Sequence, residues 1–149
     1  IERPADLVVV SPGGYPKDIN LYQAQKALDN ARHAVRKGGI ILWIASAREG
    51  LGEPCFERWM TTYEPSFMIE EIARHFELGG HKAAAIAMVL QRARIFFVSD
   101  LDSDFVRSIH LEPQPDAQTA LETALTALGS DASVIVMPYG GSTLPVVRT

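Results

Sequence analysis

LVVVSPGGYPKDINLYQAQK, residues 7–26, is the stretch that decides the fold. Its first four residues, Leu7–Val10, are apolar and rich in valine, as expected for a strand covered on both faces. Ser11-Pro12-Gly13-Gly14 then breaks the run, and a helical pattern opens near Asp18. That helix carries Tyr22, Gln23 and Lys26 in its first two turns. A strand, a glycine loop and a helix with a cation near its start is how an α/β domain presents an anionic small molecule to protein groups.

The same alternation continues outward. Further strands are expected at Gly39–Ala45, Arg94–Ser99, a weaker Ser108–Leu111, and Ser133–Met137. Helical patterns lie between them at about 19–36, 65–77, 82–93, 101–108 and 116–129. Residues 1–149 are therefore predicted to form a single three-layer α/β domain. Its sheet should be mostly parallel and Rossmann-like, with about five strands and helices on both faces. Lys37-Gly38-Gly39 is expected to stop the first helix, Pro65 to open the second, and Asp116 and Gly129 to cap the two ends of the last. Ala83–Leu90 is apolar all round and reads as a helix sandwiched in the core, with Met88 packed inside.

Composition narrows the function classes. The chain is 47% apolar and 21% charged, which is enough to build a core and argues against disorder. A net charge of −4 gives no electrostatic reason to expect a nucleic-acid partner. No apolar run approaches the roughly 18 residues of a membrane span. The single cysteine, Cys55, excludes a disulfide framework and a cysteine zinc site. A cytoplasmic location is expected on these grounds. The chain opens on Ile1 with no signal-like segment, and the missing Met is read as a piece cut from a longer protein.

A helical wheel divides the first helix. Ala24, Ala27, Leu28, Ala31, Ala34 and Val35 form one stripe, suited to the sheet. Tyr22, Lys26, Asp29 and His33 fall opposite, with Gln23 on the flank. Ile19 and Tyr22 share the side of Lys26, which is odd for a face meant only for water. A cation in the first turns opposes the helix dipole unless an anion also visits the free N–H groups there. Lysine, glutamine and tyrosine at this spacing could hold a carboxylate and a hydroxyl.

Ligands of open α/β sheets bind outside the carboxyl ends of the strands. Three glycine pairs recur at that edge: Gly13-Gly14, Gly50 with Gly52, and Gly140-Gly141. None matches a nucleotide-binding pattern. Catalytic groups are not gathered anywhere. His33, His75, His81 and His110 lack metal-ligand spacing, although His81, following Gly79-Gly80, is placed to point into a cleft. Glu49, Glu53, Glu70 and Glu71 have no evident partner, and Arg48 could assist an anion. The residues alone leave three readings open: part of an enzyme, an anion- or metabolite-binding module, or a structural domain that docks a partner protein.

GGYPKDINLYQAQKAL, GGIILWIASAREGLGEPCF and GGHKAAAIAMVLQRARIFFVSDL together resemble the C-terminal domain of the nickel-dependent lactate racemase family. The sharpest part is the pattern GGYP-x-D-x-N-x-YQ-x-x-K, and the resemblance covers nearly the whole chain. It implies substrate contacts from Tyr22, Gln23 and Lys26, with Lys26 near the carboxylate of a 2-hydroxy acid. Gly13, Gly14 and His81 would line the site. It also implies that the catalytic histidines and the holder of a nickel-pincer, nicotinic-acid-derived cofactor lie in a preceding N-terminal domain. This domain would bind no cofactor or metal alone and would close over the substrate. In the family a tryptophan of this domain packs at the site. The nearest position here is His81, and neither Trp43 nor Trp59 fits, which implies a 2-hydroxy acid other than lactate.

Overall fold

Valine- and isoleucine-rich segments form the middle of a five-stranded sheet, and every strand in it is parallel to its neighbours. The computed structural model describes residues 1–148. In chain order the elements are β1 (Ala5–Val10), α1 (Leu21–Ala31), β2 (Val35–Ile44), α2 (Pro54–Thr62), α3 (Pro65–Arg74) and α4 (Gly80–Leu90). They continue with β3 (Arg94–Val98), α5 (Ser103–Ser108), β4 (Glu112–Pro113), α6 (Ala117–Leu128) and β5 (Val134–Met137). A short 3-10 turn, Gly140–Ser142, follows the last strand. The expected α/β class, the parallel sheet and the three layers are all present.

The strand order is β4-β3-β2-β1-β5. Four strands are laid down in one direction from β1, and the chain then returns to place β5 on the far side of β1. The order reverses between β1 and β5, so the loops leaving those two strands diverge and open a crevice at their carboxyl ends.

Side chains alternate across the sheet with the strand period of two. Val8, Val10, Ile41, Trp43, Ile95 and Phe97 face the larger apolar cluster, which is completed by α1 to α5. Leu7, Ile40, Leu42 and Phe96 face the other way, onto Ala120 and Ala124 of α6. Each large apolar side chain buried in this way stabilises the fold by roughly 1.5–3 kcal/mol. The helical layers are therefore unequal, with one helix on one face and the rest on the other.

Several local expectations are corrected. The first helix ends at Ala31, not at Lys37-Gly38-Gly39. Ala34 and Val35 continue the apolar period but are buried as the entry to β2. Residues 36–39 instead bulge from β2, because Ala5 pairs with Val35 while Leu7 pairs with Ile40. Gly38 there has φ +78°, and a Cβ on Gly39 would come within 2.6 Å of the Asp6 carbonyl. The weak strand expected at Ser108–Leu111 is displaced. Ser108 closes α5, Leu111 is buried in the connection, and β4 is Glu112–Pro113. Pro113 is tolerated because β4 is an edge strand. Met88 is 41% exposed rather than packed, since α4 turns that side outward.

A helix at Pro54–Thr62 is absent from the sequence reading although its signals are local. Glu53 caps it by accepting from the N–H groups of Cys55 and Phe56, and Pro54 opens it. Phe56, Trp59 and Met60 are its buried stripe. Pro65 opens α3, and Asp116 and Gly129 bound α6, as expected. No helix among the described residues is long and apolar enough to cross a membrane.

Candidate functional site at the β1/β5 crevice

The loop after β1 is shaped by its own side chains. Ser11 Oγ accepts from the Gly13 N–H at 3.1 Å, and the Tyr15–Pro16 peptide is cis. Asp18 is a tether rather than a binding group. Its carboxylate accepts from Ser46 N at 3.0 Å and its carbonyl from Ala47 N at 2.8 Å, which fastens the loop to the end of β2. Asn20 caps α1, its Oδ1 accepting from Gln23 N at 2.8 Å. Gly52 makes room for that cap, because a Cβ on it would lie 2.4 Å from the Asn20 amide.

The free N–H groups expected at the start of α1 are in fact occupied. Leu21 N donates to Gly50 O at 3.0 Å, and Tyr22 N donates to Leu51 O at 3.1 Å. Gln23 N is taken by Asn20. The middle glycine loop thus saturates the helix end, and any anion here must be held by side chains.

The third glycine loop docks directly on α1. Asn30 Nδ2 donates to Gly140 O at 2.7 Å, and Gly140 N donates to Ser11 O at 2.7 Å. Gly140 is required for this approach, since a Cβ would sit 2.3 Å from Val10 Cγ2 and 3.2 Å from Ala27 Cβ. The loops after β1 and β5 and the exposed side of α1 then enclose a cleft of about 200 Å³. Pro12, Lys17, Gln23, Lys26, Gly141 and Ser142 line it, over a floor at Ala27.

Gln23 and Lys26 are brought together in this cleft as the helical wheel implied. Tyr22 is not. Its ring meets Phe56 edge-on, with centroids 5.6 Å apart, and packs on the larger core cluster. Lys82 of α4 lies against the other side of Tyr22, its Nζ 3.9 Å from the ring centroid and donating to Tyr22 O at 2.8 Å. Partial burial, with the nearby Lys26 charge second, pulls the Lys82 ammonium below its ordinary pKa. Gly13 and Gly14 are not among the residues lining the cleft. Gly13, at φ +110°, leaves space for the Tyr139 ring and the Lys17 stem, which a Cβ would meet at 3.1 and 3.7 Å. His81 stands at the start of α4, its Nδ1 accepting from Gly79 N at 3.0 Å beside the Phe76 ring. It is not among the residues lining the cleft.

Three further candidates have structural partners. Glu53 caps α2, and His75 pairs with Glu71 on the surface of α3. Arg48 lies over the Tyr15 ring at 4.5 Å. Three participants escaped the sequence reading. Lys17 and Ser142 reach the cleft from loops whose path depends on distant strands, and only the tertiary fold brings Lys82 to Tyr22. Among the described residues, no three or more His, Cys, Asp or Glu side chains gather in a way that could hold a metal ion.

Comparison with known proteins agrees with this architecture. Residues 1–145 match the family described as "Lactate racemase C-terminal domain". A lactate racemase of Thermoanaerobacterium thermosaccharolyticum is 30% identical over 148 residues, covering 95% of this chain and 35% of that protein. One of Lactiplantibacillus plantarum is 31% identical over 141 residues, covering 91% of this chain and 33% of the relative. The solved apoprotein of the T. thermosaccharolyticum lactate racemase superposes with a TM-score of 0.88 at 28% identity, over 99% of this chain and 36% of that one. A Thermotoga maritima protein shares the fold alone, with a TM-score of 0.63 at 14% identity. The chain thus spans about a third of the length of the lactate racemases it matches. With the match running over residues 1–145, this chain belongs to the lactate racemase C-terminal domain family.

Proposed function

We propose that this chain is the substrate-closing domain of a two-domain racemase or epimerase acting on a 2-hydroxy acid. Lys26 pairs with the carboxylate and Gln23 hydrogen-bonds the hydroxyl. Tyr22 supports them from behind by fixing the first turn of α1 against α2 and α4. The observation that carries this reading is the joint presence of Gln23 and Lys26 in one cleft, at the point where the strand order reverses. Family membership supports it further.

The side chains present suit binding and orientation. Lysine supplies a point charge, and glutamine supplies one donor and one acceptor group on a planar amide. Closing the cleft over a bound acid would exclude water and strengthen both contacts. The nickel-pincer cofactor of the family would supply hydride chemistry at the carbon. The described residues offer no cluster that fits a metal, so the part proposed for this chain is confined to holding the acid. The partner is then an N-terminal catalytic domain of the same polypeptide, and the 149-residue chain alone is inactive.

Lys26→Ala in the full-length, cofactor-loaded enzyme tests the proposal. A charge-assisted contact contributes on the order of 1.5–3 kcal/mol, so turnover per unit KM should fall at least about tenfold. Lys26 is solvent-exposed, and the melting temperature should not change. Unchanged kinetics would remove Lys26 from the site and the reading with it.

A further inference from the structure

The cleft holds more positive charge than one carboxylate needs. Lys17 and Lys26 both line it, and no carboxylate does. Neither lysine takes part in an ion pair among the described residues. The nearest acidic residue along the helix, Asp29, is engaged by Arg32 at 3.3 Å. Two like charges facing one small cleft repel each other unless a ligand neutralises both.

Lys17 is also directed there by its surroundings. Its stem passes over Gly13, where a Cβ would stand 3.7 Å from its Cδ. The rigid loop behind it is pinned by Ser11 on one side and Asp18 on the other. Ser142 adds a hydroxyl on the side contributed by β5.

We infer that Lys17 forms a second anion subsite, and that the acid bound here is a 2-hydroxy acid carrying a second anionic group beyond the carboxylate held by Lys26. This inference rests on the proposed function and deepens it. A single carbon bearing the hydroxyl would place the first carboxylate at Lys26 and the hydroxyl at Gln23. The remainder of the molecule would extend toward Lys17 and Ser142. A methyl group in that direction, as in lactate, would leave Lys17 unpaired.

Amide chemical-shift titration of the 149-residue chain with lactate, malate and 3-phosphoglycerate at low ionic strength tests this directly. These probes carry no second anion, a second carboxylate and a phosphate, respectively. Either probe with two anionic groups should bind up to about fivefold tighter than lactate, as expected for one added exposed ion pair. The preferred probe identifies the second group. Lys17→Met, which keeps the stem and removes the charge, should abolish that preference, weakening lactate less than either of the other two probes. The preference should also shrink as salt rises through about 0.15 M. Equal binding of lactate and both other probes, or equal loss of all three in Lys17→Met, overturns the inference. If all three bind alike and all are lost in Lys26→Ala, the second subsite fails while the proposed function stands. If none perturbs α1, both fail.

Discussion

Two clefts open along the same edge of this sheet, and they differ in charge as well as in topology, since only the first lies where the strand order reverses. One lies between β1 and β5 and is lined by Lys17, Gln23, Lys26 and Ser142. The other lies beyond β2 and β3 and is lined by Ser46, Ser99, Asp100 and Asp116. Both sit at carboxyl ends of strands and both adjoin helices. In the second, the carboxylates already serve the fold. Asp100 accepts from Ser46 Oγ at 2.6 Å, and Asp116 caps α6 by accepting from Thr119 N at 2.7 Å. Hydrogen bonds from Thr119 hold the Asp116 carboxyl below its ordinary pKa, so the cleft stays negative. In the first, the lysines have no ion-pair partner among the described residues. The contrast teaches that topology supplies a place for a ligand, while uncommitted side-chain charge decides what kind of ligand fits.

The strongest way to break this contrast is to close the first cleft. Gly140→Val would drive a side chain into Val10 and Ala27, where even a Cβ is 2.3 Å from Val10 Cγ2. Overpacking of this kind costs about 1–3 kcal/mol, and the loop carrying Ser142 should lift from α1. Urea denaturation and acid titration would read the two effects together. A variant of full stability that still binds acid would show that the β5 loop does not shape the site.

Loss of the α1 cap should be milder. Asn20→Ala leaves Gln23 N without its side-chain acceptor and should cost about 1 kcal/mol. Because Gln23 then sits on a frayed turn, weaker acid binding should accompany the lower denaturation midpoint. An unchanged midpoint would mean that the Gly50–Leu51 carbonyls suffice to hold the helix start.

A subtler test addresses how β5 is kept beside β1. Asp6 accepts from Arg36 Nε at 2.5 Å and from Ser133 Oγ and N at 2.7 and 2.8 Å, where the chain enters β5. Arg36 first, then Ser133, holds its carboxyl far below the ordinary carboxylate range. A depressed carboxylate pKa contributes stability that is present above the unfolded value and lost as the pH falls below it. The drop in melting temperature from about pH 4 to about pH 2.5 should therefore be smaller in Asp6→Asn than in the parent chain. Equal drops would assign acid unfolding to other carboxylates.

The smallest effect is expected in the second cleft. Asp100→Asn should alter acid binding at Lys26 by less than about twofold, as usual for a distant exposed charge. A large gain on removing that carboxylate would make the β2/β3 cleft part of the binding surface and blur the contrast between the two.

Legibility followed the range of the interactions involved. Asp116, Gly129 and Pro65 act on their own helix ends, and each was readable from neighbouring residues. The signals of α2 are equally local, lying in Glu53-Pro54 and the Phe56, Trp59, Met60 spacing, although they follow directly on the Gly50 and Gly52 loop. The end of α1 was misread for a physical reason. Ala34 and Val35 are buried by tertiary packing, so apolar period alone could not tell helix from strand entry. Within the candidate site, Gln23 and Lys26 were legible because three residues on a helix are neighbours whatever surrounds them. Tyr22 shares that helix, but the direction of its ring was chosen by Phe56 and Lys82 from other elements.

The sequence by itself therefore determined the alternation of strand and helix, the alanine stripe of α1 that faces the sheet, and the pairing of Gln23 with Lys26. All of these rest on local periodicity and short-range hydrogen bonds. Only the tertiary structure decided that β5 returns beside β1, that Gly140 brings Ser142 over α1, and that Lys17 and Lys26 line one cleft. Those outcomes join residues up to about 125 positions apart, such as Lys17 and Ser142. They are set by strand order and close packing, which no local pattern encodes.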